Sequence, residues 1–375
     1  MKITAVDPIP VAYPEPNDSN ATRHLLFVRI STDDGHVGWG EAVTMWPEAT
    51  RATAALVDGL ATLLIGRDAR ERASAHEALR KHTWWYGNGG LAAFAIAALD
   101  TALWDLAGKA AGLNVLDLIG GAVHDTLPVL ISCHAMDADL DAMAARMAGW
   151  VADHDAVGIK VGFGKRGAAG LGVDAHRDIA FVKALRRELG QDKSIMIDIG
   201  AAIEWDVRTA VARTLAFEDF DIAWIEEPLG ADNPSGYAEL RSRVTTKIAY
   251  GEREWTPRGV QRIVQTGTAD VVGIDPGRCE GITGWLGAAA HVRAAQREVN
   301  AHAWSSAIVT AASLALSFAS PHCYQVEIKP LNNPMQHELS TAPLTPTRGR
   351  FTPPAQPGLG VDIDETVLQR YRLTD

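Results

Sequence analysis

Three carboxylates, Asp198, Glu226 and Glu252, each close a short apolar run in the second half of this 375-residue chain. The runs are Ser194-Ile195-Met196-Ile197-Asp198, Ile222-Ala223-Trp224-Ile225-Glu226 and Ile248-Ala249-Tyr250-Gly251-Glu252. Three hard oxygen donors with no His or Cys beside them favour a hard divalent cation, Mg²⁺ first, with water or substrate oxygens completing the shell. Gathered without a cation they would repel one another, so their shared register argues for a metal site rather than three separate pairs with a neighbour such as Arg253.

The same pattern yields proton-transfer groups. Lys160 ends Ala156-Val157-Gly158-Ile159-Lys160, Asp275 ends Val271-Val272-Gly273-Ile274-Asp275, and His302 ends Val299-Asn300-Ala301-His302. Lys160 falls on one side of the inferred metal and His302 on the other, with Asp275 placed to fix the tautomer and orientation of the imidazole. A base on each side of a metal-bound carboxylate suits removal of the α-proton, because the metal can take the developing charge. Glu327, ending Tyr324-Gln325-Val326-Glu327, either donates to substrate when protonated or pairs with Lys329 or Arg278.

Such residues need a scaffold that delivers one polar group per strand to a single mouth. From Asp198 onward the runs recur about every 23–28 residues, which is what a strand, a helix and two loops consume in a (β/α) barrel. Residues 126–329 therefore read as a barrel with its chemistry at the carboxyl ends of the strands. Residues 1–125 read as an α+β cap. Strand patterns there surround the turn Asp33-Asp34-Gly35-His36, and from Pro47 to Gly121 the period becomes helical. The Pro-rich segment 330–375 is expected to return to the cap and close the mouth, with Gly358-Leu359-Gly360-Val361 as a short strand. The fold class is α/β: a modified (β/α)7β barrel under a cap built from both ends of the chain.

The formal charge of -11 excludes a polyanionic partner, since phosphate neutralisation needs clustered Lys and Arg. Leu91 to Leu113 is interrupted by Asp100, Asp105 and Lys109, which marks a buried helix and no membrane span. Cys133, Cys279 and Cys323 cannot all pair, and the start of the chain has no apolar signal region, so a reduced, cytoplasmic setting is expected. The partner is a small carboxylate. The cap loop offers Asn17, Asp18, Ser19, Asn20, Thr22, Arg23 and His24, a second loop offers His82, Tyr86 and Asn88, and Trp304 follows the seventh strand. Of these, Asn20, Arg23, His24, Tyr86 and Trp304 are the candidate substrate contacts, a hydrogen-bonding set that suits a polyhydroxylated acid. His134 is expected to be structural or exposed, and one at least of Trp84 and Trp85 to pack between cap and barrel.

At this point the chain resembles the mandelate racemase branch of the enolase superfamily. The resemblance runs over essentially the whole chain and rests on Gly38-Trp39-Gly40-Glu41, Trp224-Ile225-Glu226-Glu227-Pro228, Gly251-Glu252, Gly281-Ile282-Thr283-Gly284-Trp285 and His302-Ala303-Trp304-Ser305-Ser306. It implies that Asp198, Glu226 and Glu252 hold magnesium, that Lys160 is the second lysine of a Lys-x-Lys motif, and that Asp275 and His302 form a dyad. Glu327 would help polarise the substrate carboxylate, and a homo-oligomer is implied. Two positions depart from the pattern. Gly158 stands where the first lysine belongs, with Lys165 or Arg166 as possible replacements, and Gly200 stands where an Asn often follows the first metal ligand. The expected activity is dehydration of an aldonate or aldarate to a 2-keto-3-deoxy acid. Racemisation, epimerisation or cycloisomerisation of a related acid is the alternative, and a catalytically silent metal-dependent binding protein is a third reading of another class.

Overall fold

The structure is a computed structural model that describes residues 1–165, 167–200 and 202–373. It opens with an antiparallel meander, β1 (Ile3–Glu15), β2 (Ala21–Thr32) and β3 (Val37–Met45), whose second turn is Asp33 to His36. Four helices follow: α1 (Pro47–Ala61), α2 (Arg72–Thr83), α3 (Leu91–Ala111) and α4 (Val115–Leu118). The Gly38-Trp39-Gly40 sequence has a steric cause: a Cβ at Gly40 would overlap the Ala98 carbonyl and one at Gly38 that of Ala102, so glycines let β3 lie directly on α3. Ile3, Leu26, Val28, Leu99 and Leu103 close the apolar core of this layer. The α3 helix is long and apolar enough to cross a bilayer, yet 89% of its most apolar window is buried inside the protein.

A strand and helix alternation then runs through β4 (Leu127–His134), α5 (Leu140–Asp153), β5 (Gly158–Gly162), α6 (Ala175–Leu189), β6 (Ser194–Asp198), α7 (Val207–Glu218), β7 (Ile222–Glu226) and α8 (Pro234–Arg243). It continues with β8 (Lys247–Tyr250), α9 (Pro257–Thr266), β9 (Val271–Ile274), α10 (Gly281–Ala294), β10 (Glu298–Ala301), α11 (Ala307–Ala319) and β11 (Val326–Ile328). The eight strands are parallel in the order β10-β9-β8-β7-β6-β5-β4-β11, a (β/α)7β array. The seam between β10 and β11 is made by Val299 N–H donating to His322 O at 3.0 Å and by the Asn300 amide donating to Glu327 Oε1 at 2.5 Å, rather than by a ladder. Leu130, Met196, Trp224, Ala249 and Val271 fill the barrel interior, as the alternate inward-facing residues of such strands must.

The tail returns to the cap by contacts that periodicity does not show. Its strand β12 (Arg350–Phe351) pairs antiparallel with β4, and α12 (Glu365–Tyr371) lies against β1. The stretch 358–361 is no strand: Gly358 makes a single bridge to Asn114, and Leu359 N–H donates to Asp105. The tail does not close the mouth either, since none of the residues lining the cleft there lies beyond Trp304. What covers the mouth is the cap meander, where Val43 N–H donates to Gly277 O at 3.3 Å and the Val43 side chain packs on Ala303 and Val309. All three cysteines are buried and free.

Candidate active site

Parallel strands side by side in one barrel bring the groups at their carboxyl ends to one mouth. Asp198 and Glu226 are the last residues of β6 and β7 and face each other in register. Glu252, Asp275 and His302 follow the ends of β8, β9 and β10 by two, one and one residues. Lys160 and Glu327 sit inside β5 and β11 rather than at their ends. Lys160 consequently lies on the floor of the cleft, with Glu327 bonded to it from outside the cleft lining.

These groups are tied together. Lys160 Nζ lies 2.9 Å from Glu327 Oε1 and 3.1 Å from Glu226 Oε2. His302 bridges two acids, with Nδ1 2.8 Å from Asp275 Oδ2 and Nε2 2.9 Å from Glu252 Oε2. Arg278 backs the dyad at 3.5 Å from both Asp275 and Glu252. Glu327 therefore pairs with Lys160 and Asn300. Lys329 is held by Glu15 at 2.9 Å, and Arg253 by Glu227 at 2.5 Å.

Burial and charge compete at each group. For His302, burial favours the neutral ring, but Glu252 and Asp275 outweigh it and push the pKa up to about 10. Burial likewise disfavours the Lys160 ammonium, yet Glu226 and Glu327 hold its pKa well above that of an ordinary lysine. Glu226 goes the other way: burial, opposed by Lys160, raises it to about 7. The acids and bases sit in one mutually responsive cluster.

The two departures from the motif have structural counterparts. At Gly158 a Cβ would overlap the Ser194 carbonyl, so no lysine fits there. Instead Lys165, from the loop after β5, places Nζ 3.7 Å from Asp198 Oδ2. It occupies the space that side chains at Gly162 and Gly200 would need, since a Cβ at Gly200 would come 2.7 Å from Lys165 Nζ and one at Gly162 2.7 Å from its Cε. Arg166 lies outside the described residues.

A cleft of about 490 Å³ opens above the floor, with Lys160, Lys165, Asp198, Glu252, Arg278 and His302 at one end and Arg23, His134 and Trp304 in its wall. His134, expected to be structural, stacks on Trp304 at 4.6 Å and reaches Asp18 at 3.7 Å. No sequence signal pointed to this, because the two rings come from β4 and from the loop after β10. Of the candidate substrate contacts, Arg23 and Trp304 line the cleft, and Asn20, His24 and Tyr86 do not. Asn20 is exposed in a left-handed turn with φ 58° that returns its N–H to Glu15 O. His24 sits beside Met45 in the meander, and Tyr86 is half-exposed beside His82. Trp84 and Trp85 are 64% and 79% exposed, so neither is buried between cap and barrel. Glu327 does not line this cleft but a second cavity, of about 560 Å³.

Asp198, Glu226 and Glu252 fit a hard cation by donor chemistry: three carboxylates on adjacent strands, two of them in register, with Asp198 and Glu252 lining the cleft and Glu226 buried next to Asp198. In the arrangement seen, among the described residues, no three ligand-type side chains converge on one point. Lys165, Lys160 and His302 occupy one carboxylate each.

The N-terminal domain pattern of the mandelate racemase / muconate lactonizing enzyme family matches residues 4–120, and the enolase C-terminal domain-like pattern matches residues 142–367. The chain belongs to this family, within the enolase superfamily. Among relatives, it is 28% identical to a D-galactarolactone cycloisomerase of Agrobacterium fabrum over 94% of this chain and 92% of that one. It is 30% identical to a D-galactonate dehydratase of Ralstonia nicotianae over 92% of this chain and 91% of that one. A solved enolase from Bradyrhizobium, complexed with magnesium and mandelic acid, superimposes with a TM-score of 0.87 at 29% identity, over 100% of this chain and 99% of that one. These family members are enzymes, dehydratases foremost and cycloisomerases second.

Proposed function

We propose that this enzyme dehydrates an acid sugar, an aldonate or aldarate, to a 2-keto-3-deoxy acid. The observation that carries the reading is the placement of two proton-transfer groups on separate strands: Lys160 on β5, against Glu226 and Glu327, and His302 after β10, against Glu252 and Asp275. Asp198, Glu226 and Glu252 would hold a magnesium ion, which would supply positive charge to the substrate carboxylate.

The remaining work falls to this chain's side chains. The base, Lys160 or His302 according to the configuration at the α-carbon, takes the substrate's α-proton in its neutral form, which a cation on Glu226 and Glu252 would favour by drawing off carboxylates that hold both groups protonated. The electron pair of the C–H bond then forms a C=C bond as the β C–O bond breaks, and the His302 imidazolium protonates the departing hydroxyl to water. The enol tautomerises to the keto acid. Asp275 at 2.8 Å keeps the His302 ring oriented with Nε2 toward the cleft. Glu327, fixed by Asn300, holds Lys160 in place.

The same two bases also support epimerisation, in which one removes the α-proton and the other returns one to the opposite face. Internal displacement in place of loss of hydroxide would give a cycloisomerase. A screen of aldonates, aldarates and their lactones with Mg²⁺, scored for 2-keto-3-deoxy acid, is the test. Keto acid from any member supports dehydration, whereas an epimer or an isomeric lactone without keto acid replaces it.

A further inference from the structure

Arg23 is 6% exposed, yet no carboxylate oxygen lies within ion-pair distance of it among the described residues. Its single hydrogen bond runs from one terminal nitrogen to the Trp304 carbonyl at 2.9 Å, and its Nε is buried with no partner. A guanidinium carries five N–H donors, and a buried cation left without an anion is costly. The Trp304 ring 4.7 Å from Cζ provides cation–π contact, which softens that cost without neutralising the charge.

A second cation shares the ring. Lys329 Nζ sits 4.9 Å from the centroid of the same ring. The two nearby acids are committed elsewhere: Glu15 to Lys329, Asn17 and Tyr13, and Glu41 to the hydroxyls of Ser305 and Ser306. Among the described residues the buried Trp304 Nε1 has no hydrogen-bond partner, and His134 Nδ1 lies 3.7 Å from Asp18. Arg23, His134 and Trp304 line the cleft that also holds Lys160 and His302, and Trp304 is only two residues from His302. Asp18 also stands on that wall.

We infer that Arg23, on its Trp304 platform, is the subsite for a second anionic group at the far end of the substrate, so that the enzyme prefers dicarboxylic acid sugars (aldarates) to aldonates. This rests on the acid-sugar reading above and narrows it. One carboxylate sits at the metal-binding end for α-proton removal, and the other accepts the unused N–H donors of Arg23. An aldonate places an uncharged hydroxymethyl group there and leaves the guanidinium unpaired.

Calorimetric titration of the Mg²⁺-loaded enzyme with galactarate against galactonate, and glucarate against gluconate, tests this without requiring turnover. The wild type is expected to bind the aldarate of at least one pair roughly 10–150-fold tighter, the range of one charge-assisted hydrogen-bonded pair. In Arg23→Met that ratio is expected to fall to within about threefold of one, and Arg23→Lys, which keeps the charge but not the fork, to retain part of it. Circular dichroism identifies variants that fail to fold, and the wild-type ratios stand without them. Equal or inverted ratios in both pairs, no binding of any of the four acids, or a ratio that survives in a folded Arg23→Met would overturn the proposal. Keto-acid formation is read separately. An Arg23-dependent aldarate preference without keto acid keeps the subsite and removes dehydration, while keto acid from aldonates alone does the reverse.

Discussion

Gly158 illustrates how a single missing side chain redistributes charge in the cleft. Its Cα faces the Ser194 carbonyl of the neighbouring strand so closely that a methyl group would overlap it. Gly158→Ala is therefore expected to lower stability by about 1–3 kcal/mol, the range for overpacked interiors, and Gly158→Lys to fail to add a second cation to the site. Urea unfolding checks the first, and an alanine variant as stable as the parent would contradict it. The cation that the site does carry, Lys165, was named from the sequence as one of two replacements for the missing lysine but could not be placed, because its position depends on a loop conformation and on space left by Gly162 and Gly200 rather than on periodicity. Asp198, Glu226, Glu252, Asp275 and His302 were legible because each follows an apolar run at a fixed offset. His134 and the exposed Trp84 and Trp85 were not, since side-chain stacking and exposure across elements leave no trace in local pattern.

At the scale of elements, cap and barrel meet where α3 touches the start of α10. Asp100 accepts from Thr283 N–H at 2.8 Å and from its hydroxyl at 2.6 Å, so one buried carboxylate caps a helix of the other layer. Burial raises Asp100 from an ordinary 3.8 to about 7, and raises nearby Glu280 from 4.5 to about 7. For an acid whose folded pKa is raised, the folded state binds more protons than the unfolded one between those limits, so stability falls as pH rises from about 4 to about 7. Asp100→Asn is expected to reduce that slope and leave the part due to Glu280; the full contribution of Asp100 has a ceiling of about 4 kcal/mol. Urea midpoints across this pH range measure it, and an unchanged slope in the variant would contradict it. The strands of the barrel were readable because short, mostly apolar runs bounded by helices leave few alternatives. The pairing of β12 with β4 was not, because a two-residue strand carries no period.

Over the whole molecule, the cleft interleaves Asp198 and Glu252 with Lys160, Lys165 and Arg278 and carries Arg23 in its wall, an arrangement that suits one substrate carboxylate presented to a metal and a second anion at Arg23. Added Mg²⁺ is expected to raise the unfolding temperature of the wild type by mass action, at about 2.7 kcal/mol for a concentration one hundred times the dissociation constant. Asp198→Asn should lose most of that shift, and a shift of the same size in the variant would place the ion elsewhere. The family itself was legible from five short motifs, three of which place a functional group, Glu226, Glu252 or His302, at or just beyond a strand end. The central claim is that Lys160 and His302 exchange protons with the α-carbon of an acid sugar. The most direct test is proton NMR in heavy water with Mg²⁺ and the best substrate from the screen, comparing wild type with Lys160→Ala and His302→Asn. The account predicts deuterium at the α- or product β-position in the wild type and a loss of turnover of about 10²–10⁴-fold in each variant with folding intact. Turnover within a few-fold of wild type in both variants would contradict it.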